Sequence, residues 1–77
     1  MRQIDSALCN EAFGKFIREG RERKGLFQAD VADKLGISQG YYSHIERGTR
    51  TVDFVVALKI CQFLGLDIND FVKTQID

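Results

Sequence analysis

Proline is absent from these 77 residues, histidine occurs once, and cysteine occurs twice, at Cys9 and Cys61. Two distant cysteines with no C-x-x-C pattern, beside a single histidine, supply neither a disulfide framework nor a zinc site, so no metal or cofactor is expected. Long apolar runs are also missing. The longest, Phe54 to Leu58, is far too short to span a membrane, and the opening MRQIDSALCNEAFG lacks the apolar stretch of a signal peptide. A cytoplasmic, reducing setting with no membrane partner is the expectation. Nor is there a surplus of charge: 11 Lys and Arg balance 11 Asp and Glu. Residues 1–52 carry a formal +2 and residues 53–77 a formal −2. So small an asymmetry neither excludes nor favours an anionic partner. With one histidine, separated cysteines and scattered carboxylates there is no catalytic constellation, and no enzyme is expected.

What the chain does have is the balance of a folded domain, with 44% hydrophobic and 29% charged residues. A domain of this size buries only about 60% of the surface its unfolded chain exposes, so its stability should be modest. Glycine does the punctuation that proline does elsewhere, and regular glycine breaks suit a series of short helices. Residues 1–9 read as an N-terminal tail that makes Cys9 a mobile surface thiol, and residues 10–77 read as one domain.

Asn10 is placed to cap the first helix, in which Phe13, Phe16 and Ile17 form a buried face. Arg21, Arg23 and Lys24 complement the helix dipole before Gly25 ends it. Gly20 interrupts this helix at a cost of about 1 kcal/mol against alanine unless packing requires it. A second helix runs from about Gln28 to Leu35 and a third from an N-cap at Ser38 to just before Gly48. The fourth, from about Asp53 to Leu64, offers Phe54, Val55, Leu58, Cys61 and Leu64 to a core. Asp67 caps a fifth from Ile68 to about Gln75, with Asp70 as a short capping partner.

Between the second and third helices lie only Gly36, Ile37 and Ser38. So tight a turn forces a steep, close crossing. Ala32 is small enough for the contact, Gly36 tolerates a positive φ, and Ile37 plugs the bend. Val31, Leu35, Tyr42 and Ile45 supply the inner faces, which is the pattern of a helix-turn-helix. At 100° per residue, Tyr42 and Ile45 define the core side of the third helix, while Gly40, Ser43, His44 and Arg47 fall opposite. Glu46 lies close to the core side and needs a cation, for which Arg21 is the expected partner.

The stretch FQADVADKLGISQGYYSHIERG resembles the helix-turn-helix of the Cro/repressor-like (XRE) family of DNA-binding transcriptional regulators. The resemblance extends over FGKFIREGRERKGL before it and ALKICQFLGLDINDFV after it. It is carried by Gln28, Ala32, Gly36, Ser38, Ile45, Glu46 and Gly48 at their spacings. It implies an all-α, five-helix, lambda repressor-like domain that binds double-stranded DNA. It further implies that Gln39, Gly40, Ser43 and His44 face base edges and that Gln28, Ser38, Tyr41, Arg47 and Arg50 lie at phosphates. Arg21 and Glu46 would form a structural ion pair. Gly40 reads no base by hydrogen bond but permits close approach.

Three positions depart from the family pattern. Phe27 stands where a capping Ser or Thr is usual, Gly20 where Leu is common, and Tyr42 where a β-branched residue is common. Phe27 is either a packed staple or exposed. Phe16 or Phe27 is expected to fill the space beside Gly20, and the Tyr42 hydroxyl needs a partner if buried. For Gln39, Ser43 and His44 the alternative to base reading is a solvated face, and Tyr41 either stacks on the DNA backbone or is simply exposed. A single recognition helix reads one half-site, so a homodimer through the C-terminal helix on a palindromic operator is expected. Phe71, Val72 and Ile76 there are core edge or dimer contact. No small-molecule effector domain is expected. The rival reading is a protein-interaction module, antitoxin-like or adaptor, that keeps the fold with weak or no DNA binding.

Overall fold

The computed structural model describes residues 6–75, with side chains from Cys9 onward. Five helices follow one another: α1 (Ser6–Arg23), α2 (Gln28–Leu35), α3 (Gln39–Arg47), α4 (Phe54–Leu64) and α5 (Ile68–Gln75). There is no strand among the described residues, and no helix among them is long and apolar enough to cross a membrane. The first five residues and Ile76 lie outside the described part.

The helix ends follow local chemistry. Ser38 accepts the Tyr41 N–H at 3.0 Å and Asp53 accepts the Val55 N–H at 2.9 Å, while Asp67 accepts the Asn69 N–H at 2.9 Å. Each side chain satisfies a backbone donor that the first helical turn leaves unpaired. Phe27 offers no such acceptor. The helix it precedes keeps only the return half of a capping box, the Phe27 N–H donating to Asp30 Oδ2 at 2.7 Å.

One aliphatic and aromatic core joins all five helices. Phe13 and Ile17 enter it from α1, Val31 and Ala32 from α2, and Tyr42 and Ile45 from α3. Ala57, Ile60, Cys61 and Leu64 enter from α4, and Phe71 from α5. Phe71 meets Phe13 edge to face, with ring centroids 5.2 Å apart, and so docks the last helix on the first.

Several expectations need correcting. Asn10 lies inside α1 and does not cap it, because the helix begins at Ser6. The earlier start places Cys9 one turn before Phe13, so this thiol is half-buried against the core. On α4 the inward face is Ala57, Ile60, Cys61 and Leu64, whereas Phe54 is 70% exposed and Val55 and Leu58 are also exposed. Five consecutive apolar residues cannot all face one side of a helix. The space above Gly20 is filled by Leu66, not by Phe16 or Phe27: a Cβ there would stand 2.7 Å from Leu66 Cδ1. Phe27 is exposed. The Tyr42 hydroxyl is buried, and the polar group beside it is the Glu46 carboxylate.

Gly14 has a role that its place in a helix does not advertise. A Cβ at this position would stand 2.6 Å from the Ile45 carbonyl oxygen and would overlap that of Glu46. Here α1 and the end of α3 touch backbone to backbone, and neither can retreat without moving a helix. Gly14→Ala should therefore lose about 1–3 kcal/mol of stability in urea denaturation, although alanine is the better helix former. Gly20→Ala meets only the Leu66 side chain, which can shift more readily than backbone, and should cost less.

Candidate nucleic-acid interface

The turn between α2 and α3 closes as a left-handed helix cap. Gly36 has φ 69°, the Gly36 N–H donates to the Asp33 carbonyl at 3.2 Å, and the Ile37 N–H donates to the Ala32 carbonyl at 3.0 Å. The chain then leaves α2 sharply enough for Val31 and Ala32 to pack with Tyr42 and Ile45 in one core. Burial divides α3 into two sides. Tyr42, Ile45 and Glu46 are buried, Gln39, Gly40, His44 and Arg47 are exposed, and Tyr41 and Ser43 lie between.

A charged clamp holds α3 in this orientation. Arg21 Nε donates to Glu46 Oε2 at 2.6 Å and its terminal nitrogen donates to Glu46 Oε1 at 3.1 Å, a two-pronged pair. The other terminal nitrogen donates to the Leu26 carbonyl at 2.8 Å, and Gln28 Nε2 donates to Glu46 Oε1 at 3.0 Å. The Glu46 side chain is only 2% exposed. Burial pushes its pKa up, but the hydrogen bonds from Arg21 and Gln28 and the Arg21 charge outweigh burial, and the carboxyl titrates below its ordinary range. The same carboxylate hydrogen-bonds Arg21 and holds its guanidinium pKa above the ordinary value against the opposing effect of burial. Burial first, and the nearby Glu46 carboxylate second, push the Tyr42 hydroxyl pKa up.

The outward groups are organised as well. His44 Nδ1 lies 2.8 Å from Thr49 Oγ1, and an Arg47 guanidinium nitrogen lies 3.4 Å from the same Nδ1. The Arg50 guanidinium carbon sits 5.3 Å from the Tyr41 ring centroid, a cation–π arrangement that steadies the arginine beside the start of α3. Nothing lies within 4 Å of a Cβ built on Gly40, so the surface there is open. The Ser38 oxygen is occupied by its cap, and Gln28 is half-buried with its amide turned partly inward.

Thr49 is the residue that helix periodicity passes over. Its only sequence signal is its place directly after Gly48, where a chain leaving a left-handed cap turns back over the last helical turn. The loop bearing it is braced from behind. A Cβ on Gly48 would collide with the Glu11 backbone, and Asn10 Nδ2 donates to Thr51 Oγ1 at 3.4 Å.

Comparison with known proteins agrees with this geometry. Residues 17–71 match the model of a helix-turn-helix family. The chain is 40% identical to the uncharacterized HTH-type transcriptional regulator YqaF of Bacillus subtilis (strain 168), over 74% of this chain and 75% of the relative. It is similar in structure to the clp gene regulator ClgR of Corynebacterium glutamicum, with TM-score 0.79, 31% identity and coverage of 83% of this chain and 68% of the other. It also resembles the restriction-modification controller protein C.AhdI of Aeromonas hydrophila, with TM-score 0.73, 34% identity and coverage of 79% and 92%.

The depressed Glu46 titration sets the sign of an acid response. A carboxyl whose folded pKa lies below its unfolded value contributes stability above the unfolded pKa of about 4.3, and that stability is lost as pH falls through the folded value. Denaturation curves at a series of pH values should show this loss in the parent and a smaller one in Glu46→Gln. At neutral pH the variant should be weaker by about 3–5 kcal/mol, the usual cost of removing one partner from a buried pair.

Proposed function

We propose, on the premise that the chain belongs to the XRE-type, Cro/repressor-like helix-turn-helix family of DNA-binding transcriptional regulators, that it reads a palindromic operator as a homodimer. The observation that carries this reading is the division of α3, with an exposed polar face at Gln39, Gly40, His44 and Arg47 backed by buried Tyr42, Ile45 and Glu46. Gln39, Ser43 and His44 select the sequence, and the glutamine amide suits adenine because it pairs a donor with an acceptor. Gly40 lets the backbone come close to the groove. Gln28, Ser38, Tyr41, Arg47 and Arg50 lie at phosphates and fix the register. An amide nitrogen carries two N–H groups, so the inward bond from Gln28 to Glu46 leaves one for a phosphate. The Tyr41 ring acts through Arg50, whose guanidinium it holds.

One recognition helix per chain reads one half-site, and the dimer supplies the second about 34 Å away. The interface runs through the C-terminal helix, where Val72 is 40% exposed and Phe71 belongs to the core. Phe54, Val55 and Leu58 on α4 leave further apolar surface exposed.

Selection of bound duplexes from a random pool tests the reading. The parent should enrich one palindromic motif with half-sites about one helical turn apart, and Gln39→Ala and His44→Ala should each relax different base positions within it. Absence of any enriched motif would overturn DNA reading, and a non-palindromic motif would overturn the dimer. At Gly40, replacement by alanine should raise stability by about 0.5–1 kcal/mol, since the position is helical and open. The same variant should bind the selected duplex more weakly in a titration, because the methyl group stands between α3 and the groove.

A further inference from the structure

We propose that Thr49, which lies outside the recognition helix, is a positioning residue for base reading: it fixes the tautomer of His44 so that this imidazole presents a hydrogen-bond donor to the groove. The proposal rests on His44 being a base-reading residue and goes beyond it by stating which base edge the ring selects.

A neutral imidazole has one donor and one acceptor nitrogen, and the partner of one fixes the role of the other. The shortest side-chain contact of His44 is the 2.8 Å between Nδ1 and Thr49 Oγ1. Two arrangements fit that distance. In one, the threonine hydroxyl donates to a bare Nδ1. In the other, Nδ1–H donates to the hydroxyl oxygen, which in turn donates to the His44 carbonyl 3.3 Å away.

Two observations select the first arrangement. The His44 carbonyl already accepts the Thr49 backbone N–H at 3.1 Å and shares the Gly48 N–H of the left-handed cap with the Ile45 carbonyl. A carbonyl oxygen has two lone pairs, so a third, longer bond there adds little. In addition, a guanidinium nitrogen of Arg47 lies 3.4 Å from Nδ1. Arginine only donates, so this approach is favourable toward a lone pair and repulsive toward an N–H. Thr49 and Arg47 therefore both point donors at Nδ1, and the proton resides on Nε2 of this exposed residue.

An outward N–H needs an acceptor. In the major groove guanine offers N7 and O6, adenine offers N7 beside its amino donor, thymine offers O4, and cytosine offers only its amino donor. The base position read by His44 should thus favour guanine, accept adenine or thymine and disfavour cytosine.

Two measurements on the full chain test this. His44 is the only histidine, so long-range ¹H–¹⁵N spectra report its tautomer without assignment ambiguity. At a pH that keeps the ring neutral, the parent and Thr49→Ser should show a bare Nδ1 and a protonated Nε2, whereas Thr49→Val should show exchange toward the other tautomer. In selection from a random pool, Thr49→Val should weaken the guanine preference at the position that His44→Ala erases by about two- to tenfold, the worth of one net hydrogen bond. The rest of the motif should persist, and Thr49→Ser should restore the preference. A protonated Nδ1 in the parent, or identical nitrogen shifts in the parent and Thr49→Val, overturns the proposal whether or not DNA is bound. Enrichment of cytosine at that position also overturns it. Failure of all variants to enrich any motif would sink the DNA reading, while the spectra alone would still decide the role of Thr49.

Discussion

Arg21 ties together four parts of the chain. Its guanidinium grips both oxygens of Glu46 at the end of α3 and the Leu26 carbonyl in the connection to α2, and Gln28 at the head of α2 adds a bond to the same carboxylate. Side chains such as Ile17, Val31 and Ile45 exclude water but tolerate small slides. A forked guanidinium on a carboxylate does not, because both bonds require one distance and one plane. The pair is a weak argument for net stability, since removing two charges from water costs much of what their attraction returns. Its value lies in register: α3 cannot rotate about its axis without breaking it, and rotation is the motion that would turn the exposed His44 and Gln39 toward the core.

Features set by local chemistry are legible in the sequence. Periodicity separated the two sides of α3 because Tyr42, Ile45 and Glu46 recur at helical spacing, and Glu46 announced a partner because a carboxylate on an inward face cannot stay alone. Gly36 and Gly48 marked helix ends through their chemistry. Other features depend on what meets a residue from elsewhere in the chain. Nothing local distinguishes Gly14, against which another backbone packs, from Gly20, which receives the Leu66 side chain. The run from Phe54 to Leu58 hid its inward side because every residue in it is apolar, so burial followed from where α1 and α2 lie and not from the pattern. The start of α1 was misplaced because Asn10 is a good cap type, and the helical contacts of Cys9 and Ala12 with the core outweighed that local preference. The four residues from Thr49 to Val52 carry no periodic signal at all, yet Thr49 meets His44 and Arg50 meets Tyr41 on α3.

The backbone contact at Gly14 and the clamp at Arg21 act on the same end of α3 from the same helix. α1 reaches α3 at Gly14 through close approach, at Arg21 through charge, and at Glu11 through the brace against Gly48. These three positions run along α1, so the last turn of α3 and the loop after it move with α1 as one body. That loop holds Thr49 and Arg50, and Arg50 folds back over Tyr41 near the start of α3. The outward groups are thus supported from both ends of α3.

A chain with no net charge cannot depend on a broad field to hold a polyanion, because the salt-dependent part of DNA affinity grows with the number of phosphates neutralised. Few cations must then be used well, and their placement shows how. Arg50 is steadied by an aromatic face and Arg47 points toward the histidine ring, so neither swings as freely as an arginine on an unadorned helix. Ordering these side chains before contact lowers the entropy lost on binding. A domain built this way relies on preorganised contacts more than on general attraction.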